Sequence, residues 1–319
     1  MTQTTLPSGS NTRAIGLLLF GITAGVGLDF CGKWLLVDYS LSEFVFLRSI
    51  FGAVIMLALA NKLGGLGSLK TRRIGWHLVR SVLATAAMFG FFYGLSQIPL
   101  VDCFAIGFTA PLFTTALAPL FLGDHVGWRR WSAVLFGFAG ALVVLRPGLG
   151  MLSWASLSVL GASFAYACMS ILARKLADTE SSYALSTYSL IGPMAVAAIL
   201  LPGQWATPTT NAWLGFGLAG LFSACAWIGL VGGYRRAPPA VLAPFEYTAL
   251  IWGTLGGYFI WGEIPERWVL IGAGMIAGSG LFVAYREMRA HLTSPARYLR
   301  GMTTSAAAAQ AHPENPGAP

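Results

Sequence analysis

Six ionisable residues, Asp29, Lys33, Arg48, Arg80, Asp102 and Glu246, stand inside long apolar runs. A charge at the centre of a membrane helix is unfavourable by about 2.5–3.5 kcal/mol on insertion scales, so each one needs a partner, water or a function. Buried acids can hold a proton or receive a hydrogen-bond donor. Buried arginines can hold an anionic or carbonyl-rich group. Asp29 and Lys33 are four apart, acid first, a spacing that also allows mutual neutralisation on one helix face. Metal and nucleophile chemistry has no such support. The four cysteines lie within apolar runs without a CxxC pair, and the four histidines form neither an HExxH motif nor a cluster. Neither a metal nor a cofactor is expected, and no GxSxG or GxxxxGK[ST] occurs.

Those charges sit in an unusual background. Of 319 residues, 56% are hydrophobic and only 10% charged, against about 25% charged in soluble domains. So few charges cannot cover a water-soluble globule of this size, which excludes an ordinary soluble enzyme. The net charge of +8 does not indicate nucleic acid, because the basic residues occupy short gaps between apolar runs rather than one face of a domain. The expected solvent is a lipid bilayer.

About 20 apolar residues cross a bilayer core. Ten stretches qualify, near 14–36, 41–61, 75–96, 99–122, 128–145, 153–173, 181–201, 212–232, 239–261 and 266–286. Their continuous apolarity argues for helices over a strand barrel. The first is too long for a cleaved leader. With a cytoplasmic N-terminus, 15 of the 20 basic residues fall on the inside, including Arg73, Arg129, Arg130, Arg174, Lys175 and Arg286. Only Lys33, Arg146 and Arg267 fall at outer ends. This asymmetry places both termini in the cytoplasm. By helical rise, Asp29, Lys33, Arg48 and Asp102 then belong to the outer half, and Arg80 and Glu246 to the inner half.

The halves of the chain echo each other. Pro99 and Pro238, Gly123 and Gly262, and Asp124 and Glu263 are all separated by 139 positions. Each half has five spans, an odd number, so the second half is inserted upside down. Such inverted repeats place a substrate site at their interface near the midplane. The expected fold is an all-α polytopic membrane protein of ten helices in two inverted repeats. Residues 1–13 form a cytoplasmic tail, 14–146 and 147–286 the repeats, and 287–319 a disordered cytoplasmic tail rich in Ala and Pro.

The stretches KWLL and SEFVFLRSIFG within 33–52, PLFTTALAPLFLGDHVGWRRW at 111–131, PFEYTALIWGTLGGYFIWGE at 244–263 and YRE at 285–287 resemble the EamA-type drug/metabolite transporters. The resemblance covers about residues 14–287. One departure is Asp124, where the family more often has Glu; the charge is kept. The resemblance implies a ten-helix secondary transporter of the bacterial inner membrane, with a central cavity and no ATPase of its own. PFEY and the loops are most similar to carriers of riboflavin or S-adenosylmethionine. Riboflavin is the first choice, because a neutral flat ring suits aromatic walls with one or two polar anchors. An amino-acid or drug exporter is the runner-up, and a membrane-embedded receptor or enzyme the reading from another class.

The residues expected along the translocation path are Asp29, Arg48, Arg80, Tyr93, Asp102, Phe108, Trp227, Glu246 and Tyr247. Proline lacks an N–H, so Pro111 frees the carbonyl of Gly107 and Pro244 that of Ala240. In a membrane, protein or a wet cavity must satisfy such groups. Kinks at Pro111 and Pro244, in corresponding spans, fit a gated cavity. Gly21/Gly25, Gly90/Gly94 and Gly274/Gly278 have the spacing of close helix contacts. Glu43, Asp124 and Glu263, at span ends, are expected to stay in water or cap helices.

Overall fold

The computed structural model describes residues 8–59, 66–69, 71, 73–122, 127–146, 153–176, 179–237 and 239–292. Twelve α-helices run through them. In the first half these are α1 (Ser8–Leu35), α2 (Leu41–Ala58), α3 (Ile74–Gln97), α4 (Leu100–Gly107), α5 (Ala110–Leu122) and α6 (Trp128–Leu145). In the second half they are α7 (Trp154–Leu176), α8 (Ser182–Leu200), α9 (Thr210–Tyr234), α10 (Pro239–Glu246), α11 (Thr248–Trp261) and α12 (Arg267–Leu292). Among the described residues, nine stretches are long and apolar enough to cross a membrane. The remaining span, the ninth in chain order, is divided into α10 and α11, neither of which reaches that length alone. The protein is thus a multi-pass helical membrane protein of ten spans in two repeats. The helix α12 runs six residues past the expected end of the second repeat. Residues 293–319, expected to be disordered, and the pair Gly123–Asp124 lie outside the described residues.

Local chemistry repeats along with the helices. Ser40 starts α2 by accepting a hydrogen bond from the Glu43 amide at 3.2 Å, and Ser181 starts α8 by accepting one from Ala184 at 2.9 Å. These caps, 141 positions apart, satisfy an amide that would otherwise lack a partner at each helix start. The end of α11 needs a glycine. Gly262 has φ 67°, and its own amide donates to Tyr258 O at 3.0 Å, the five-to-one closure that left-handed caps provide, while the Glu263 amide turns back to Gly257 O at 2.9 Å.

Packing shows the repeat in three dimensions. Helix α1 packs along α9, and α3 packs along α7; repeat symmetry converts one pair into the other. The pairs α2 with α8 and α6 with α12 are each symmetric in themselves. Glycines set the two long seams. A Cβ on Gly90 or Gly94 would lie 2.8 Å from Ser158 O or 2.1 Å from a Val159 methyl. One on Gly229 would lie 2.5 Å from Gly21 Cα, and one on Gly233 3.1 Å from Ala14 O. Gly90 and Gly94 stand 139 positions before Gly229 and Gly233. Backbones meet this closely only where no side chain intervenes. The expectation for Gly274/Gly278 is corrected: a Cβ on either would meet nothing within 4 Å. The close glycines on α12 and α6 are Gly272 and Gly140, each built against the other's carbonyl. Spacing alone could not choose between these faces of α12.

Candidate functional site

The fourth and ninth spans break at the same repeat position. Helices α4 and α10 each have eight residues, ending at Gly107 and Glu246. The next residues are Phe108-Thr109-Ala110 and Tyr247-Thr248-Ala249, 139 positions apart. At both breaks a threonine hydroxyl donates to the carbonyl three residues back. Thr109 Oγ1 reaches Ile106 O at 2.6 Å, and Thr248 Oγ1 reaches Phe245 O at 2.6 Å. At the first break the Thr109 amide also donates to Ile106 O at 3.0 Å, so the hydroxyl adds a second, local bond where the helix is interrupted. The rings of Phe108 and Tyr247 stack, centroids 4.9 Å apart at 27°.

The prolines do not set the break symmetrically. Pro111 is the second residue of α5, a place proline favours, whereas Pro244 lies inside α10. The Gly107 carbonyl that Pro111 frees lies 3.3 Å from the Ser163 hydroxyl. That hydroxyl has its nearest acceptor in Val159 O at 2.9 Å.

Beside the breaks lies a cavity of about 350 Å³, bounded by α1, α3, α4, α5, α7, α9, α10 and α11. Asp29 from α1 and Glu246 from the end of α10 both face it. Phe91, Phe104, Phe108 and Tyr166 give it aromatic walls, and among the described residues no lysine or arginine lines it. Tyr166 is 52% exposed although it sits mid-helix. The Tyr234 hydroxyl donates to Glu246 Oε1. The cavity can therefore enclose a flat apolar ring while presenting carboxylates to cations or hydrogen-bond donors.

The other expected path residues lie elsewhere. Arg48 is buried behind Asp29. Its guanidinium contacts Met88 Sδ at 2.9 Å and Ser223 Oγ at 3.5 Å, and lies 5.5 Å from the Phe92 ring centre. Its charge acts on Asp29 without an ion-pair contact. Arg80 is also buried, with Nε and Nη1 unbonded, and does not line the cavity. Asp102 is buried on α4 within the field of Lys33, Glu263, Arg146 and Glu266. Trp227 donates from its ring nitrogen to Ser186 Oγ. Tyr93 is exposed on α3, and Pro244 is exposed on α10. Tyr247 reaches the cavity only through its stack on Phe108. Sequence reasoning did not single out Ser163, Tyr166 or Tyr234. Tyr166 and Ser163 lie three apart on α7, a helix without an internal charge to draw attention.

One helical turn beyond Asp29 on α1, an ion pair ties α1 to the end of α11. Lys33 Nζ lies 2.6 Å from Glu263 Oε1. The same pair grips the turn between α3 and α4. Lys33 donates to Ile98 O at 3.1 Å, and the Leu100 amide donates to Glu263 Oε2 at 2.8 Å. Lys33 therefore pairs with Glu263 instead of Asp29. Glu263 is largely buried instead of hydrated, and by accepting from the first amide of α4 it takes the helix-capping alternative of its expectation. Glu43 is corrected likewise: it is fully buried, and its Oε2 accepts from the Ala206 amide at 3.0 Å. A second polar cluster joins α3 to the connection before α8. Glu180 accepts from Thr71 at 2.9 Å and contacts His77 Nε2 at 3.1 Å, and the His77 ring packs on Tyr188.

Two five-span repeats meeting around a cavity at paired helix breaks define the architecture of a membrane carrier. The chain belongs to the EamA-like transporter family, whose model matches residues 12–146 and 153–285. It is 28% identical to an S-adenosylmethionine uptake transporter of Rickettsia bellii, over 86% of this chain and 94% of that protein. It is 30% identical to a riboflavin transporter of Rhizobium johnstonii, over 91% and 97%. A pseudopaline exporter of Pseudomonas aeruginosa is 26% identical over 74% and 83%. A solved crystal structure shares the fold at TM-score 0.60 and 18% identity, covering 88% of this chain and 99% of that one.

Proposed function

We propose that this transporter takes up a small heteroaromatic metabolite of net positive charge across the bacterial inner membrane, with both termini cytoplasmic. The observation that carries the reading is the cavity wall: Asp29 and Glu246 among aromatic rings, with no basic residue among the described ones. In a low-dielectric site, carboxylates favour a cation over a neutral or anionic solute. S-adenosylmethionine suits that wall, with an adenine ring for the aromatic side chains and sulfonium and ammonium groups for the acids. Riboflavin, the choice from the sequence, supplies the ring but no cation. It stays as the second reading because the Rhizobium johnstonii riboflavin transporter aligns with 91% of this chain.

Counterflow in proteoliposomes tests this, with unlabelled compound inside and labelled S-adenosylmethionine, riboflavin or an amino acid outside. The expected result is accumulation of labelled S-adenosylmethionine. Accumulation of riboflavin alone would replace the substrate assignment, and accumulation of no label would remove both.

A further inference from the structure

The end at which the Lys33–Glu263 pair seals α1 to the end of α11 has a counterpart in the second repeat, and the two ends differ in this structure. At the sealed end α1 packs against α3, so closely that a Cβ on Gly32 would lie 2.6 Å from the Phe92 ring. Repeat symmetry converts this contact into one between α7 and α9. Those two helices make no comparable contact here. The opening between them is consistent with the accessible Tyr166 in the cavity wall.

The register follows from the glycine seams. Gly94 faces Ala155 O and Val159, and Gly233 faces Ala14 O and Leu18. Ala14 and Ala155, like Leu18 and Val159, are 141 positions apart. The same offset carries Lys33 onto Arg174, and the 139 offset of the later spans carries Ile98 onto Ala237. A base therefore stands in the last turn of both α1 and α7, two residues before the end. Lys33 is engaged on the Ile98 carbonyl, whereas Arg174 is exposed.

We infer that Arg174 is the cation of the opposite gate. In the alternate state Lys33 releases Ile98 and Glu263, α1 parts from α3, and α7 closes on α9 with Arg174 donating to the Ala237 carbonyl. Exchanging the conformations of the two repeats yields this state without any new fold, as expected for carriers built from inverted repeats. The ion pair then acts as a weight on the equilibrium, since a conformational balance moves only through interactions that differ between its states. This inference rests on the transport reading.

The test uses paired spin labels on the full chain in nanodiscs, in a background with the four native cysteines replaced by alanine. One pair, at Val37 and Gln97, reports the sealed end. The other, at Lys175 and Arg235, reports the open end. Lys33→Ala is expected to lengthen the first distance by several ångströms and shorten the second. Glu263→Gln, which keeps the side-chain shape, should do the same more weakly. Adding Arg174→Ala to Lys33→Ala should prevent the shortening. Lengthening at the sealed end with the open end unchanged, no change at either end, or shortening that survives Arg174→Ala would each overturn the inference. Counterflow on the same samples separates this from the transport reading. Reciprocal distances without flux would keep the gate and remove transport, and flux without reciprocity would do the reverse.

Discussion

Phe108 and Tyr247 stack across the junction of the two repeats, centroids 4.9 Å apart, from equivalent positions at equivalent helix breaks. Each ring follows an eight-residue half-helix and precedes Thr-Ala. The contact joins the two broken spans at the edge of the cavity, where Phe108 forms part of the wall. Such a pair contributes about 0.5–1.5 kcal/mol beyond its buried area. A change that moves one ring thus reaches both the wall and the junction.

Gly280 on α12 holds that stack in place. A Cβ there would lie 1.7 Å from the Tyr247 hydroxyl and 2.9 Å from Cζ. Gly280→Ala is expected to displace the ring and lower counterflow several-fold. Tyr247→Phe in the same chain removes the atom in closest conflict and should restore most of the flux. If Gly280→Ala alone left flux unchanged, the stack would not matter for transport.

Glu246→Gln keeps the shape and the acceptor for Tyr234 but removes the charge. A hydrogen bond to a charged group contributes about 1.5–3 kcal/mol net, so apparent affinity for S-adenosylmethionine should weaken roughly tenfold to a hundredfold. Riboflavin binding should change little. Tyr234→Phe should have a smaller effect, because it frees Glu246 without neutralising it. Equal losses for cationic and neutral ligands in the Gln variant would show that the carboxylate shapes the cavity without selecting charge.

The glycine seams separate packing from spacing. Gly229→Ala would force a methyl onto the α1 backbone, 2.5 Å from Gly21 Cα. Overpacking of this kind costs about 1–3 kcal/mol, so thermal unfolding in detergent should begin several degrees lower. Gly274→Ala, with open space around it, should leave the transition unchanged. Equal effects at both positions would contradict the seam between α1 and α9.

Much of this architecture is legible in the amino-acid sequence, for physical reasons. A bilayer demands long apolar helices, so all ten spans can be read within a few residues. The offset of 139 is visible because Pro99 and Gly123 recur as Pro238 and Gly262. The partners of the internal charges are less legible. Lys33 could reach Asp29 one turn away, but the cap at Gly262 delivers Glu263 from a distant span. Arg48 and Arg80 have the residue type of substrate anchors, yet Arg48 stands on α2, which does not bound the cavity, and Arg80 stands about two turns from Ala87 along the same face of α3. Ser163, Tyr166 and Tyr234 are ordinary residues of apolar helices until α7 and α9 are placed beside α10. Rotation about each helix axis is set by seams such as Gly94 on Val159, and spacing alone does not reveal which glycine faces a neighbour.

Glu180 provides the pH test, because it lies between spans. Burial pushes its carboxyl up, but hydrogen bonds from His77 and Thr71, with the charges of His77 and Arg73, outweigh burial and hold it below the usual carboxylate range. A group that titrates lower in the folded than in the unfolded state stabilises the fold above its unfolded pKa, here near 4.5. That contribution fades as pH falls through the folded value. The wild-type unfolding temperature should therefore drop more steeply than that of Glu180→Gln between about pH 5 and pH 3. At neutral pH the variant should be the less stable by about 1–3 kcal/mol, because His77 and Thr71 lose a charged acceptor. Parallel pH profiles for the two proteins would show that the cluster joining α3 to the start of α8 does not depend on the charge of Glu180.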